Sequence, residues 1–383
     1  MAERMEPGAT IGVLGGGQLG AMFAMAARRL GYRLAVWDPD QDAPALKLAD
    51  LPISASFTDP RAFEQFAQAV RAATYEWENV PAVLCEALER RLPVRPAGRI
   101  LEIIQNRVAQ KSFFSTGGLP VAPFREVTLA ADLPAAAGAV GFPCLCKTAT
   151  SGYDGKGQWR LLHAADLRAL QEQIGTQRGQ WVVEPFLAFD KELSVLVVRG
   201  EDGDRRLYPV VENVHEAGIL RTTRVPAEID PRTAERAAVL AGSAVEKLEG
   251  VGVFCVELFL MRDGQLFVNE VAPRPHNSGH YTLDACTVSQ FEQQVRAVCG
   301  LPLGEARLLC PAVMVNLLDE DLHRATAGEG LTSLAGTPGA KLHVYGKKSV
   351  RPGRKMGHVT FLAEKPEQAW QAAARLQRML NHP

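Results

Sequence analysis

The sequence predicts a mixed α/β and α+β protein in three parts, opening on a parallel sheet. Three observations carry this. First, residues 10–14 read as a buried strand, followed by a glycine loop, a helix with an apolar face over 18–30, and a second strand over 33–37 ending at Asp38. Strand, helix and strand in that order form a βαβ unit, which pairs its strands in parallel. Second, from Pro143 the texture changes to longer strands with glycine loops, then a long helix over 231–248 and an apolar hairpin over 251–271. Third, the remainder alternates strands (310–317, 340–345, 356–363) and closes on a helix over 366–380. Helical patterns also cover 99–117 and 288–299. Proline-bearing punctuation at 92–96 and at Pro302 and Gly304 marks two boundaries. A chain of 383 residues is long enough for two or three domains.

Composition narrows the function classes. With 47% apolar and 22% charged residues and a formal net charge of −1, the chain has no global attraction for nucleic acid or an anionic membrane. Neither is expected as a partner. The seven cysteines are scattered, odd in number and without a C-x-x-C pair, so neither a disulfide framework nor a zinc framework is expected. The first residues lack the apolar run of a secretion signal, and the longest uncharged apolar stretch, 133–146, is too short to span a bilayer. The expectation is a cytoplasmic enzyme.

Five segments carry chemistry. Gly15-Gly16-Gly17-Gln18-Leu19-Gly20 follows a strand and opens a helix, with Asp38 about twenty residues on. It fits a dinucleotide site, and equally a glycine turn kept for packing. In Lys147-Thr148-Ala149-Thr150-Ser151-Gly152-Tyr153-Asp154-Gly155-Lys156-Gly157-Gln158, a glycine hairpin with lysines at both ends is able to fold over a polyphosphate, though without Walker A spacing. Glu184 and Glu192 flank Pro185-Phe186-Leu187, which fits an adenine hinge or an ordinary strand turn. Ala272-Pro273-Arg274-Pro275-His276-Asn277-Ser278-Gly279-His280 offers donors to an anion, while His276 and His280 lack the spacing of a zinc motif. Finally, five cations fall within residues 345–355 (Lys347, Lys348, Arg351, Arg354, Lys355) and suit a phosphate grip or a solvated face.

The most specific expectation comes from hairpin geometry. Asp263-Gly264 between two apolar runs predicts a two-residue turn that sets Arg262 opposite Gln265. Counting back sets Glu257 opposite Glu270 on one side of the hairpin. Like charges facing each other are destabilising, and burying them unpaired costs several kcal/mol. A divalent cation such as Mg2+ removes that cost.

Taken together these motifs resemble the ATP-grasp superfamily and, within it, the chain is similar from end to end to the N5-carboxyaminoimidazole ribonucleotide synthetase family. The matching stretches are 15–20, 74–81, 105–107, 152–158, 212–215, 269–280 and 351–358. The sequence departs from the family pattern at Ser151, at Trp77 and in the tandem Lys347-Lys348. The resemblance implies a Rossmann-like N-terminal domain (1–98), a central ATP-grasp domain (99–300), a small C-terminal α+β domain (301–383) and a homodimer. It implies ATP and Mg2+ as cofactors, with 5-aminoimidazole ribonucleotide and bicarbonate as further substrates.

Carried over by motif, Arg107 and Lys147 contact ATP phosphates beneath Gly152, Tyr153, Asp154, Gly155, Lys156, Gly157 and Gln158. Glu184, Pro185, Phe186 and Leu187 hold adenine, Glu192 the ribose, and His215 lies near the nucleotide. Glu257 and Glu270, with Asn269, hold Mg2+ and phosphates. The ribonucleotide is expected among Gln18, Leu19, Glu76, Tyr153, Asp154, Arg274, Asn277, Lys347, Lys348, Arg351 and Arg354. Asp154, Lys156, Arg274, His276 and Asn277 are the expected catalytic groups. A formate-dependent transformylase of the same superfamily, or an NAD-dependent dehydrogenase, are the competing expectations.

Overall fold

The computed structural model describes residues 4–150, 157–175 and 178–381. The chain opens on a four-stranded parallel sheet built from β1 (Thr10–Leu14), α1 (Gln18–Arg29), β2 (Arg33–Asp38), β3 (Leu51–Ser54), α2 (Pro60–Ala69) and β4 (Ala72–Tyr75), in the order β3-β2-β1-β4. β1, β2 and β4 are almost wholly buried, as their continuous apolar runs require when helices cover both faces, while the edge strand β3 buries only Ile53. α3 (Ala82–Glu89), α4 (Gly98–Ile104) and α5 (Arg107–Thr116) follow. The single helical pattern expected over 99–117 is therefore two helices. Asn106 breaks it, because its side chain caps α5 by accepting from the Val108 and Ala109 N–H groups. The segment at 92–96 docks against β4, through hydrogen bonds of 2.9 Å between Ala73 N–H and the Pro93 carbonyl and between Arg95 N–H and the Ala73 carbonyl.

A small antiparallel sheet follows. It comprises β5 (Arg125–Leu129), α6 (Leu133–Val140), β6 (Cys144–Thr148), β7 (Gln158–Leu161), α7 (Ala164–Ile174) and β8 (Arg178–Pro185), in the order β5-β8-β6-β7. Its own core includes Leu133, Cys144, Leu161, Leu170 and Val183.

The largest sheet collects β9 (Phe189–Arg199), β10 (Arg205–Leu207), β11 (Val211–Glu216), β12 (Ile219–Val225), β13 (Gly252–Met261) and β14 (Leu266–Ala272), with α8 (Pro231–Leu248) packed on it. α9 (Thr282–Ala285) and α10 (Gln290–Val298) lead to β15 (Ala312–Leu318), α11 (Asp321–Thr326), α12 (Glu329–Gly336), β16 (Ala340–Val344), β17 (Lys355–Leu362) and α13 (Pro366–Asn381). Among the described residues the order is β14-β13-β9-β11-β12-β15-β17-β16. β12 pairs β15 in an unbroken ladder, so the C-terminal module extends the central sheet rather than forming one of its own. No helix among the described residues is long and apolar enough to cross a membrane.

The β13–β14 hairpin corrects the expected turn. Met261 pairs with Gln265, and Gly264 has φ +82, so the connection is one residue longer than Asp-Gly alone predicts, with glycine in the left-handed position. That moves the near end of the ladder by one residue: Leu260 faces Leu266 and Leu258 faces Val268. A bulge at Asn269 then moves it back, and Glu257 faces Glu270 as expected. The carboxylate pair thus arises from two compensating shifts.

Candidate active site

Glu257 and Glu270 are the centre from which the site is built. Burial and the neighbouring Glu270 push the Glu257 carboxyl up to about 8. Burial pushes Glu270 in the same direction, but Arg107 and Lys147 overcome it and leave that carboxyl below its ordinary value. The Arg107 guanidinium donates to Glu270 Oε2 at 3.1 Å. One negative charge is thus compensated and the second is not, which is the condition a divalent cation relieves. The donor set fits Mg2+: carboxylate oxygens, with the Asn269 side chain on the bulge between them in sequence.

Beside them lies a buried cationic hub. Glu184 on β8 is paired with Lys111 of α5 at 2.7 Å and with Lys147 of β6, all three side chains 11% exposed or less. Burial alone raises a carboxyl, but the two ammonium groups hold Glu184 down at about 2. Lys147 is pushed below its ordinary value by burial, only partly offset by Glu184. Phe186 carries the Arg160 guanidinium over its ring at 3.9 Å, and its N–H donates to the Pro143 carbonyl at 3.0 Å. Lys111 was not among the expected site residues. The signal was available, since it stands four residues after Arg107 on one helix face.

Glu192 lies on β9 and binds the His215 imidazole across the sheet. Burial lowers His215, but the Glu192 hydrogen bond and charge outweigh it and hold the ring above its usual value. Arg274 pairs with Glu78, which stands two residues after Glu76 beyond β4, so the N-terminal sheet and the loop after β14 meet through a charge pair. Burial disfavours the Arg274 cation, and Glu78 more than restores it. His276 Nε2 stands 3.4 Å from Glu257 Oε1, and burial followed by Arg274 drives this imidazole well below its usual value, so it is neutral at pH 7. Lys355, the last of the five cations in the 345–355 run, adds its charge to Glu257, His215 and His276.

Several expected residues also contact other parts of the protein. The Asn277 amide is buried and exchanges hydrogen bonds of 2.6 and 3.0 Å with Asn316 of β15, so it ties the loop to the sheet. Leu19 is packed in the core of the N-terminal sheet. Gln18 opens α1. Glu76 accepts from Gly17 N–H at 2.8 Å and Gly20 N–H at 3.0 Å, while Asp38 accepts from Gly16 N–H at 2.6 Å. A Cβ at position 17 would stand 2.7 Å from Glu76 Oε1. The glycines therefore admit a carboxylate of the protein itself, and a dinucleotide pyrophosphate would meet two carboxylates there.

In the C-terminal cationic run, Lys348 binds Asp42, Lys347 Nζ donates to the Lys355 carbonyl at 2.8 Å, Arg354 donates to the Ser349 carbonyl at 2.9 Å, and Arg351 is exposed. Gln158 opens β7, and Gly157 directly precedes it, its carbonyl accepting from Thr148 N–H at 2.8 Å. Gly152, Tyr153, Asp154, Gly155 and Lys156 lie outside the described residues.

Comparison with known proteins agrees with this architecture. Residues 8–105 match the ribonucleotide synthetase preATP-grasp domain, 112–291 the ATP-grasp domain, and 312–372 the phosphoribosylaminoimidazole carboxylase C-terminal domain. An N5-carboxyaminoimidazole ribonucleotide synthase of Bacillus subtilis is 42% identical over 95% of this chain and 94% of its own length. An ADP complex of N5-carboxyaminoimidazole ribonucleotide synthetase superposes with a TM-score of 0.94 at 40% identity, covering 100% of this chain and 99% of that one. The Aspergillus clavatus N5-carboxyaminoimidazole synthase, in complex with ADP and 5-aminoimidazole ribonucleotide, superposes with a TM-score of 0.91 at 31% identity, covering 99% and 100%. With preATP-grasp, ATP-grasp and C-terminal modules in sequence, and near full-length identity of this degree, the chain belongs to the N5-carboxyaminoimidazole ribonucleotide synthase family of ATP-grasp ligases.

Proposed function

We infer that the chain carries out the reaction of its family, the ATP-dependent carboxylation of 5-aminoimidazole ribonucleotide in purine biosynthesis. The observation that carries the reading is the facing pair Glu257 and Glu270, set between Arg107 and the Lys111–Glu184–Lys147 hub. In this reading Mg2+ is held by Glu257 and Glu270 and supplies neutralisation of phosphate oxygens. Arg107 and Lys147 orient the polyphosphate, and the 152–158 segment covers it.

A bicarbonate oxygen attacks the γ-phosphorus of ATP, forming carboxyphosphate and releasing ADP. The exocyclic amine of the ribonucleotide then attacks the carboxyl carbon, or CO2 released from it. Inorganic phosphate leaves with the C–O bonding pair, and the amine proton passes to a base, for which Asp154 is the candidate. Arg274, Lys156 and His276 fix the reacting carboxyl group, and the neutral imidazole at 276 is able to donate one hydrogen bond without adding charge. Lys347, Lys348, Arg351 and Arg354 supply the cations for the ribonucleotide phosphate, with Gln18, Leu19 and Glu76 near its sugar. We keep the divisions 1–98, 99–300 and 301–383 as functional modules, and propose a cytoplasmic homodimer.

The test is coupled ADP release, with bicarbonate and the ribonucleotide each omitted in turn. ADP release that requires both is expected, and release that requires formate instead would overturn the carboxylating reading. Replacing Glu270 by Gln is expected to lower ribonucleotide-dependent ADP release by at least about 100-fold, the scale of losing a group that stabilises transition-state charge.

A further inference from the structure

Cys255 stands two residues before Glu257 on β13, so both side chains leave the strand on the same face. Nothing in the carboxylation chemistry calls for a thiol there. His276 arrives from the loop after β14 with Nε2 3.4 Å from Glu257 Oε1. One ligand atom from each of Cys255, Glu257 and His276 lies within 4.8 Å of the others, the one such cluster of His, Cys and acidic groups among the described residues. A thiol, an imidazole and a carboxylate together make a borderline-soft donor set. Mg2+ takes oxygen and leaves sulfur, whereas three protein ligands of this kind with a fourth position open are characteristic of Zn2+.

The geometry agrees. At bond lengths of about 2.0–2.1 Å, tetrahedral N and O ligands stand about 3.3 Å apart, against 3.4 Å between the His276 and Glu257 atoms. The sulfur has to close in by about 1 Å at most to reach a bond of about 2.3 Å. Two serines surround the imidazole. The Ser278 hydroxyl lies 2.9 Å from His276 Nδ1 and is held by the Ser194 hydroxyl at 2.8 Å. The Ser278 N–H donates to Nδ1 at 3.3 Å, so in the metal-free protein the ring proton sits on Nε2 toward Glu257, and a bound cation takes the place of that proton as it moves to Nδ1 and the Ser278 hydroxyl turns to accept it. The same hydroxyl stands 3.5 Å from the Cys255 sulfur.

We propose that Cys255, Glu257 and His276 form a binding site for a thiophilic divalent cation of the Zn2+ class, which withdraws Glu257 from the nucleotide's Mg2+ and thereby inhibits the enzyme. On binding, bonds form from the cation to sulfur, Nε2 and a carboxylate oxygen; the Cys255 S–H and the Glu257 carboxyl O–H break and both protons pass to solvent, while the His276 ring proton moves from Nε2 to Nδ1; no electron is transferred. Binding stands on the three side chains alone, and the inhibition rests on the ligase reading above.

The experiment uses the full chain, freed of metal, titrated with Co2+ and Zn2+ without nucleotide. The expected result is one Co2+ per chain, a near-ultraviolet thiolate-to-Co2+ absorption band, and displacement of that band by Zn2+. The band disappears in Cys255→Ala and in the near-isosteric Cys255→Ser, the second variant guarding against a packing defect in the first. In ADP release at saturating Mg2+, both variants keep their activity while the Zn2+ concentration for half-inhibition rises at least tenfold. Absence of the band in the unmodified chain, its persistence in both variants, or unchanged zinc sensitivity would each overturn the proposal. The absorption arm needs no turnover, so its failure is distinguishable from failure of the ligase reading.

Discussion

Replacing Lys111 by Met removes one of the two cations that hold Glu184, and the structure gives a size for the loss. The Glu184 carboxyl is displaced from 4.5 to about 2 and is 5% exposed. At about 1.4 kcal/mol per pH unit, that displacement corresponds to about 3 kcal/mol of net stabilisation of the charged form, shared between two lysines. Breaking a buried pair by deleting one partner usually costs 3–5 kcal/mol. Lys147 remains here, so the expected loss is about 2 kcal/mol.

A carboxyl depressed in the folded state contributes stability that is present above its unfolded value. The gap between variant and parent should therefore be full at pH 7 and narrow as pH falls below about 5. The assay is urea unfolding of the parent, Lys111→Met, Glu184→Gln and the double variant. A coupling of at least about 1 kcal/mol is expected, because Lys111 has little to hold once residue 184 is neutral. The KM for ATP should rise more than kcat falls, since Lys147 must then stay with Glu184 instead of meeting phosphate, and Lys111→Arg should restore it. Additive single effects, or a lysine loss under about 0.5 kcal/mol at pH 7, would refute the hub.

Further outcomes follow from the same geometry. Glu257, raised to about 8, keeps its proton at neutral pH in the metal-free protein, so the folded state binds more protons than the unfolded state between pH 4.5 and 8. Metal-free stability should fall as pH rises through that window, Mg2+ with ADP should restore it, and the Mg2+ requirement should ease from pH 7 to 9; thermal melting across that range checks all three. Glu78→Gln strips the Arg274 guanidinium of its carboxylate partner, and a loss of about 2 kcal/mol in urea unfolding is expected, together with a raised KM for the ribonucleotide. Asn316→Leu leaves the Asn277 amide without its exchanged pair and should lower the melting temperature by a few degrees without changing the Mg2+ dependence.

Much of this molecule is determined locally. Strands β1 and β2, α1 and the long helix α8 lie where periodicity and capping put them, because each rule involves only residues a few positions apart. The family motifs also fix which side chains gather. What local spacing cannot express is register set by irregularity, and partnership across folded distance. The turn at Gly264 and the bulge at Asn269 each shift β14 by one residue, and their cancellation depends on how the hairpin packs against β9 and Val121. Glu78 meets Arg274, Asn277 meets Asn316, and Lys111 shares Glu184 with Lys147 only once separate sheets are brought together. Burial then decides the charges: it makes the Glu257–Glu270 pair uneven and leaves His276 neutral, and burial is a property of the assembled fold rather than of any segment in it.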